Sequence, residues 1–180
     1  MARLRYGDLA RKPLDVLDMT SLTRNEFQTL VPPFEAAFQT HMTEWRLDGK
    51  PRTARRFTTY TNCPLPTPED RLLFILVYLK THPLQVAHGV MFGLPQGKTN
   101  QWLHVLLLML QTALRQLGDA PSRFARRRVR IEHVNSSVKR CRIVKDTIRI
   151  FREGARDMVA EICCALHNFR VRLSPWKPMI

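Results

Sequence analysis

Two glycines four residues apart, Gly89 and Gly93, separate a short apolar helical pattern from a long one and restrict this stretch of chain tightly. Gln85, Gly89 and Gly93 recur at four-residue intervals. Gly89 lets a second helix approach closely, and Gly93 permits the left-handed backbone of a tight turn. The spacing predicts helices over Leu84 to Phe92 and Pro95 to about Leu117, separated by Gly93-Leu94 and closed by Gly118. At 100° per residue, Thr99, Trp102, Leu103, Leu106, Leu110, Ala113 and Leu117 share one face of the longer helix. Gly97, Gln101 and His104 point away from that face, and Lys98 and Asn100 flank it. A short helix, a glycine-containing turn and a longer helix is the sequence form of a helix-turn-helix. Gln96, Lys98, Asn100, Gln101 and His104 are then candidate DNA contacts, since amides pair with adenine and Lys with guanine or phosphate. An ordinary helical hairpin with its polar side in water would share the pattern. The glycine spacing, the capped helix before it and the charge of the chain favour DNA.

The rest of the chain is also helical in pattern. Thr67 is a capping residue, followed by Pro68 and the acidic pair Glu69-Asp70, which suits a first helical turn. Leu72, Leu73, Leu76 and Leu79 form the buried stripe of that helix, and Pro83 ends it. Nearer the start, Thr23 caps a short helix carrying Phe27 and Leu30. Pro32 and Pro33 fit the first turn of a second helix, which presents Phe34, Ala37, Phe38, His41 and Trp45 on one side and stops at Asp48-Gly49. Lys50 to Pro68 is basic and rich in Thr and Pro, so it reads as an extended connector with a candidate strand at Arg55 to Tyr60. Beyond Ser122, helices are expected at about Phe124 to Val144 and Gly154 to Arg172, before an irregular tail at Pro175 to Pro178. No stretch supplies the β-branched runs of a parallel sheet, so the fold class is mainly α. The expected divisions are an N-terminal helical region with connector (1–66), a helix-turn-helix region (67–118) and a C-terminal region (119–180).

The 29 Lys and Arg outnumber the 15 Asp and Glu, for a formal charge of +14 that attracts polyanions. The surplus is clustered. Arg123 to Arg152 carries eleven Lys or Arg against only Glu132 and Asp146. Cations in that density displace counterions from nucleic-acid phosphates, giving strong, salt-sensitive affinity with little sequence preference. A basic helix lying on a membrane needs a broad, bulky apolar face, and this segment has only a narrow Ile and Val stripe. The longest apolar run, Val105 to Leu110, is far too short to span a bilayer. Cys63, Cys141, Cys163 and Cys164 lack zinc-site spacing, and they read as reduced core thiols of a soluble, cytoplasmic protein.

Within the basic segment, Arg128, Glu132 and Lys139 follow the pattern R-x3-E-x6-K. On a helix they share one longitudinal stripe with Asn135, beside an apolar face of Ile131, Val134, Val138 and Cys141. A carboxylate among cations suits a divalent ion and DNA phosphates. From spacing alone, an i,i+4 ion pair on a solvated helix is the simpler reading. Arg126, Arg127, Arg130, Arg140 and Arg142 are further candidate phosphate contacts.

The segment from Arg128 to Ile143 resembles the end of the catalytic domain of DDE-superfamily insertion-sequence transposases, whose signature is Y-x2-R-x3-E-x6-K. Glu132 matches the third catalytic acid and metal ligand of that signature, and Arg128 and Lys139 match its basic positions. The Tyr position falls on Ala125. The stretches Phe151 to Gly154 and Glu161 to Arg170 are similar to the closing helix of the same family. Upstream, the stretch from Pro64 through Phe92-Gly93-Leu94-Pro95, and Trp102 to Leu107, resemble its N-terminal helix-turn-helix. The resemblance spans most of the chain in two blocks.

Family members carry a ribonuclease-H-like sheet with two catalytic Asp residues between those blocks. Here the blocks meet between Gly118 and Arg123, which leaves no room for a sheet. The resemblance therefore implies a helix-turn-helix region joined to a C-terminal helical remnant of a ribonuclease-H-like domain. Intact relatives use Mg²⁺ clamped by three acids, and one Glu cannot hold that arrangement, so no cofactor is expected for this chain. The implied function is a catalytically defective DNA binder of the transposase family, acting at transposon ends near the bacterial nucleoid. The alternative is a transposase subunit whose missing acids come from another chain. Double-stranded DNA is the expected partner, with intact transposase or a second copy as protein partners. A third expectation is a decay product whose C-terminal helices have lost their packing surface.

Overall fold

The helix that begins after Thr67 has no solvent face. In the computed structural model, which describes residues 3–53, 57–58, 63–119, 138, 140–144 and 153–174, every side chain from Leu72 to Leu79 is at most 1% exposed. In chain order the helices are α1 (Tyr6–Leu9), α2 (Pro13–Thr20), α3 (Arg24–Glu44), α4 (Pro68–Thr81), α5 (Gln85–Phe92), α6 (Gln96–Gln116) and α7 (Ala155–Leu173). A 3-10 turn, Arg142–Val144, precedes α7. Among the described residues there is no β-strand, and Trp45 and Pro51 form one isolated antiparallel bridge. The fold is mainly α. Helices α1, α2, α3 and α6 and the 3-10 turn surround α4. The expected stripe of Leu72, Leu73, Leu76 and Leu79 is thus only part of what α4 buries, because Phe74, Ile75, Val77 and Tyr78 on its other sides are covered too. A helix apolar around its whole circumference must lie inside a protein. Each large apolar side chain so buried contributes roughly 1.5–3 kcal/mol.

Polar groups at the head of α4 tie the surrounding helices to it. The Thr67 hydroxyl accepts the Asp70 N–H at 3.1 Å, the expected cap. Asp70 does more than complement the helix dipole. Its buried carboxylate accepts the Tyr6 N–H at 2.9 Å, which starts α1, and pairs with Arg5 at 3.1 Å. Buried Arg71 reaches Glu35 of α3 at 2.6 Å, donates to the Pro66 carbonyl at 3.1 Å, and lies 4.4 Å above the Phe38 ring. Removing one member of such a buried pair costs about 3–5 kcal/mol, because the other charge is left unpaired.

Helix α3 departs from expectation. The expected break at Pro32 is absent, and one 21-residue helix runs through both prolines. Proline's fixed φ suits a helix. The cost is the missing N–H, about 3 kcal/mol for a helix-interior Pro. A continuous buried stripe of Phe27, Leu30, Val31, Phe34, Ala37, Phe38 and Met42 offsets it. The helix starts with a capping box in which Thr23 N–H donates to Glu26 at 2.7 Å and Glu26 N–H returns to the Thr23 hydroxyl at 3.3 Å. It ends at Glu44, earlier than Asp48-Gly49. Trp45 is not on the buried face but in extended backbone, 40% exposed. The chain then reverses through Arg46 to Lys50, and Arg52 holds the helix end by donating to the Met42 carbonyl at 2.7 Å and the Trp45 carbonyl at 3.2 Å.

Most of the candidate strand Arg55 to Tyr60, most of the helix expected at Phe124 to Val144, and the tail from Pro175 lie outside the described residues. Phe57 and Thr58 have no regular structure. Helix α7 is close to its expected position and packs on α6. Glu161 is held by both Arg115 and Gln111 of α6, and Arg172 forms two hydrogen bonds to buried Asp119 at 2.9 and 2.8 Å. The C-terminal helix thus has a packing surface within the same chain. Buried side chains from residues 1–66, 67–118 and 119–180 meet in one apolar cluster. All four cysteines are free thiols, and Cys63, Cys141 and Cys163 belong to that cluster.

Helix α5 is fastened to α4 by His88. Its ring, fully buried, lies 4.3 Å from Phe74 and 5.0 Å from Phe92, and Nε2 donates to the Phe74 carbonyl at 3.1 Å. Nδ1 has no partner among the described residues. Protonating it would bury both a charge and an unmet donor. Burial therefore pushes the His88 pKa down to about 4, against a small opposing effect of the Phe74 bond. The unfolded chain takes up this proton near pH 6.5 and the folded chain only near pH 4. Stability is then lost as pH falls through that interval, by about 3 kcal/mol. Urea midpoints measured between pH 7 and pH 4 should fall steeply for the native chain and more gently for His88→Leu. Parallel curves for the two proteins would refute the assignment.

Candidate nucleic-acid interface

The α5–α6 junction is built around the two glycines. Gly93 adopts φ 71° and ends α5, with its N–H bonded back to Val90 and the next N–H, of Leu94, to the Gly89 carbonyl at 2.7 Å. That pair of bonds closes the last turn of a helix and turns the chain sharply. Gly89 lies where α5 and α6 cross. A Cβ there would run into the Leu94 carbonyl oxygen and the Thr99 hydroxyl. Thr99, fully buried, turns its hydroxyl to the Pro95 carbonyl at 3.2 Å. Leu4 N–H bonds to the Met91 carbonyl at 2.8 Å, which brings the Arg3 side chain over Gly93.

Helix α6 divides sharply between two environments. Thr99, Trp102, Leu103, Leu106, Leu110 and Ala113 are buried as the periodicity predicts, and Leu117 is half-buried. Trp102 stacks on Phe38 of α3 at 6.1 Å. The first turns of the other side are solvent-facing, with Gln96, Gly97 and Lys98 exposed and Asn100, Gln101 and His104 half-buried. Local bonds order this surface. Gln85 reaches Asn100 at 3.4 Å, and the Lys98 ammonium reaches Gln101 at 3.2 Å. Pro95 leads into the helix without a side-chain cap, so α6 presents its first N–H groups with the positive end of its dipole. A groove of about 590 Å³ runs along the α5 side of this surface, between Leu84, Val86 and Gln96. On the α3 side a cleft of about 700 Å³ opens between Trp45 and Gln101. The outward face of α6 is a ridge between two hollows.

The five α6 residues singled out in the sequence therefore lie together. Arg140 is exposed just before the 3-10 turn and Arg142 is its exposed first residue, and the turn packs on α4 and α7. Arg126, Arg127, Arg128, Arg130, Glu132 and Lys139 lie outside the described residues. Asp119, in the join after α6, is buried and accepts two hydrogen bonds from Arg172. Among the described residues no group of three or more His, Cys, Asp or Glu is gathered as a metal site would need, and no helix is long and apolar enough to cross a membrane. The sequence reading missed Arg3, His41 and Trp45 around α6. Trp45 had a signal, since it lies only three residues before the Asp48-Gly49 turn, where a helix end is as plausible as a helix face. The chain matches no protein-family model, no curated protein and no solved structure in comparisons with each.

The two glycines of this region that lie within helices should respond oppositely to a methyl group. Gly89→Ala forces the Leu94 backbone away and should cost about 1–3 kcal/mol, the usual penalty of overpacking. Gly97 has open space around its Cβ position, so Gly97→Ala should be neutral or stabilising by up to about 1 kcal/mol. Thermal melts of the two variants check this, and equal effects would contradict the close helix crossing.

Proposed function

We propose that this chain is a DNA-binding protein in which α5, its glycine turn and α6 act as a helix-turn-helix, with the N-terminal half of α6 entering the major groove. The observation that carries the reading is the division of α6. Its apolar side is locked into the core, while Gln96, Lys98, Asn100, Gln101 and His104 stand on a ridge flanked by hollows. A ridge about one helix wide fits the major groove, its amides match base-edge acceptors and donors, and the Lys98 ammonium suits a phosphate. Arg3 at the turn and the uncapped start of α6 suit a phosphate. The surplus of positive charge, concentrated in Arg123 to Arg152, adds affinity of little sequence preference.

The resemblance to insertion-sequence transposases supplies the identity of the DNA, the terminal repeats of a related mobile element. In that reading the C-terminal region is a helical remnant of the ribonuclease-H-like domain. Glu132 is one acid of three, so the chain occupies ends without cutting them and competes with intact transposase.

Selection of duplexes from a random pool, followed by binding measurements across a salt series, tests the reading. A recurrent site should emerge. On that site Gln101→Ala should lower discrimination by about five- to a hundredfold. Lys98→Ala should weaken all duplexes alike and reduce the salt slope by about one. If no sequence is enriched and both variants bind as the native chain does, α6 is not a reading helix.

A further inference from the structure

The cleft on the α3 side of α6 has a chemistry that duplex docking leaves unused. Its walls carry two aromatic or imidazole rings from the end of α3, His41 and Trp45, which lie nearly parallel with centroids 6.4 Å apart. Opposite them stand Asn100, Gln101 and His104 of α6, over an apolar floor of Val105 and Leu108. Trp45 is exposed although it is the largest side chain of the region, because α3 stops one residue before it and the Arg46 to Lys50 reversal turns the chain outward. A second hollow of about 280 Å³ adjoins the first, sharing Leu47, Asp48 and Gln101. It carries cations at its edge, Arg46 and Lys98, with Arg46 held 3.5 Å from Asp48.

A flat ring, amide donors and acceptors lining the same cleft, and cations in the adjoining hollow are the parts that bind a single unpaired nucleotide. We propose that the cleft receives one unstacked nucleobase, stacked on Trp45 and read by Asn100 and Gln101, with its phosphate at Lys98 and Arg46. The volume of about 700 Å³ lies within the range of small-ligand pockets. Duplex DNA stacks its bases out of reach of such a cleft, so the occupant is either a free nucleotide or a base turned out of a strand. The inference adds to the duplex reading, from which it borrows Asn100, Gln101 and Lys98 but not Trp45.

The test uses the full chain. Calorimetric titration with adenosine and deoxyguanosine monophosphates, and with the matching nucleosides, covers the free-ligand source. Single-stranded and mismatched duplex oligonucleotides carrying 2-aminopurine, which brightens when unstacked and changes again on stacking against indole, cover the strand source. Binding is expected in at least one arm, weaker for nucleosides than for nucleotides. Trp45→Leu should lower it about tenfold or more while Trp45→Phe keeps it within a few-fold. Melting curves check that both variants remain folded. If neither arm shows binding, or if Trp45→Leu binds as tightly as the native chain, the inference is overturned. Duplex binding that persists in that case leaves the helix-turn-helix reading standing, and loss of duplex binding as well removes both.

Discussion

A helix with no solvent face cannot exist alone in water, and α4 is such a helix. Eight successive side chains, Leu72 to Leu79, are shut away from solvent, so other parts of the chain must surround them. That requirement sets the placement of α2, α3, α6 and the 3-10 turn. The charged pair at its head, Asp70 and Arg71, fixes the rotational position of the sheath by holding Tyr6 and Arg5 on one side and Glu35 on the other. Apolar burial supplies most of the energy, and these few buried charge contacts supply the geometry.

From α4 the order is passed outward in two steps. His88 joins α5 to the middle of α4 through a ring stack and one hydrogen bond. Gly89, the next residue, then leaves space for the Leu94 carbonyl of the turn and the Thr99 hydroxyl of α6. Helix α6 is also gripped by α3 and α7, so its outward side chains are carried on a rigid rod. On the proposed reading such fixation favours binding, because little backbone freedom remains to be lost. Helix α7 contributes through Glu161 and the Arg172–Asp119 pair, which pin the far end of α6.

The helical class, the cap at Thr67, both glycine roles and the face of α6 were legible in the sequence because each rests on local geometry. Periodicity and φ preference act within a few residues. What escaped were features that depend on distant partners. Pro32 and Pro33 look like a helix start until the continuous stripe from Phe27 to Met42 is seen to favour one helix. Asp70 looks like an ordinary acid in a first turn, and its bond to Tyr6, far away in sequence, has no local trace. The same holds for the candidate site. The shared outward placement of the α6 candidates was legible from their spacing, whereas the approach of Trp45 and His41 to α6 follows from how α3 packs and ends. Arg128, Glu132 and Lys139, marked only by spacing and resemblance, lie outside the described residues.

Hydrogen–deuterium exchange of the chain with and without a selected duplex bears most directly on the claim that α6 is the reading surface. The account predicts slowed exchange in the first turns of α6, from Gln96 to His104, together with the turn at Gly93 and the segment around Arg3. Helix α2, on the other side of α4, should not change. Slowing confined to the basic stretch from Arg123 to Arg152, with Gln96 to His104 unchanged, would contradict it.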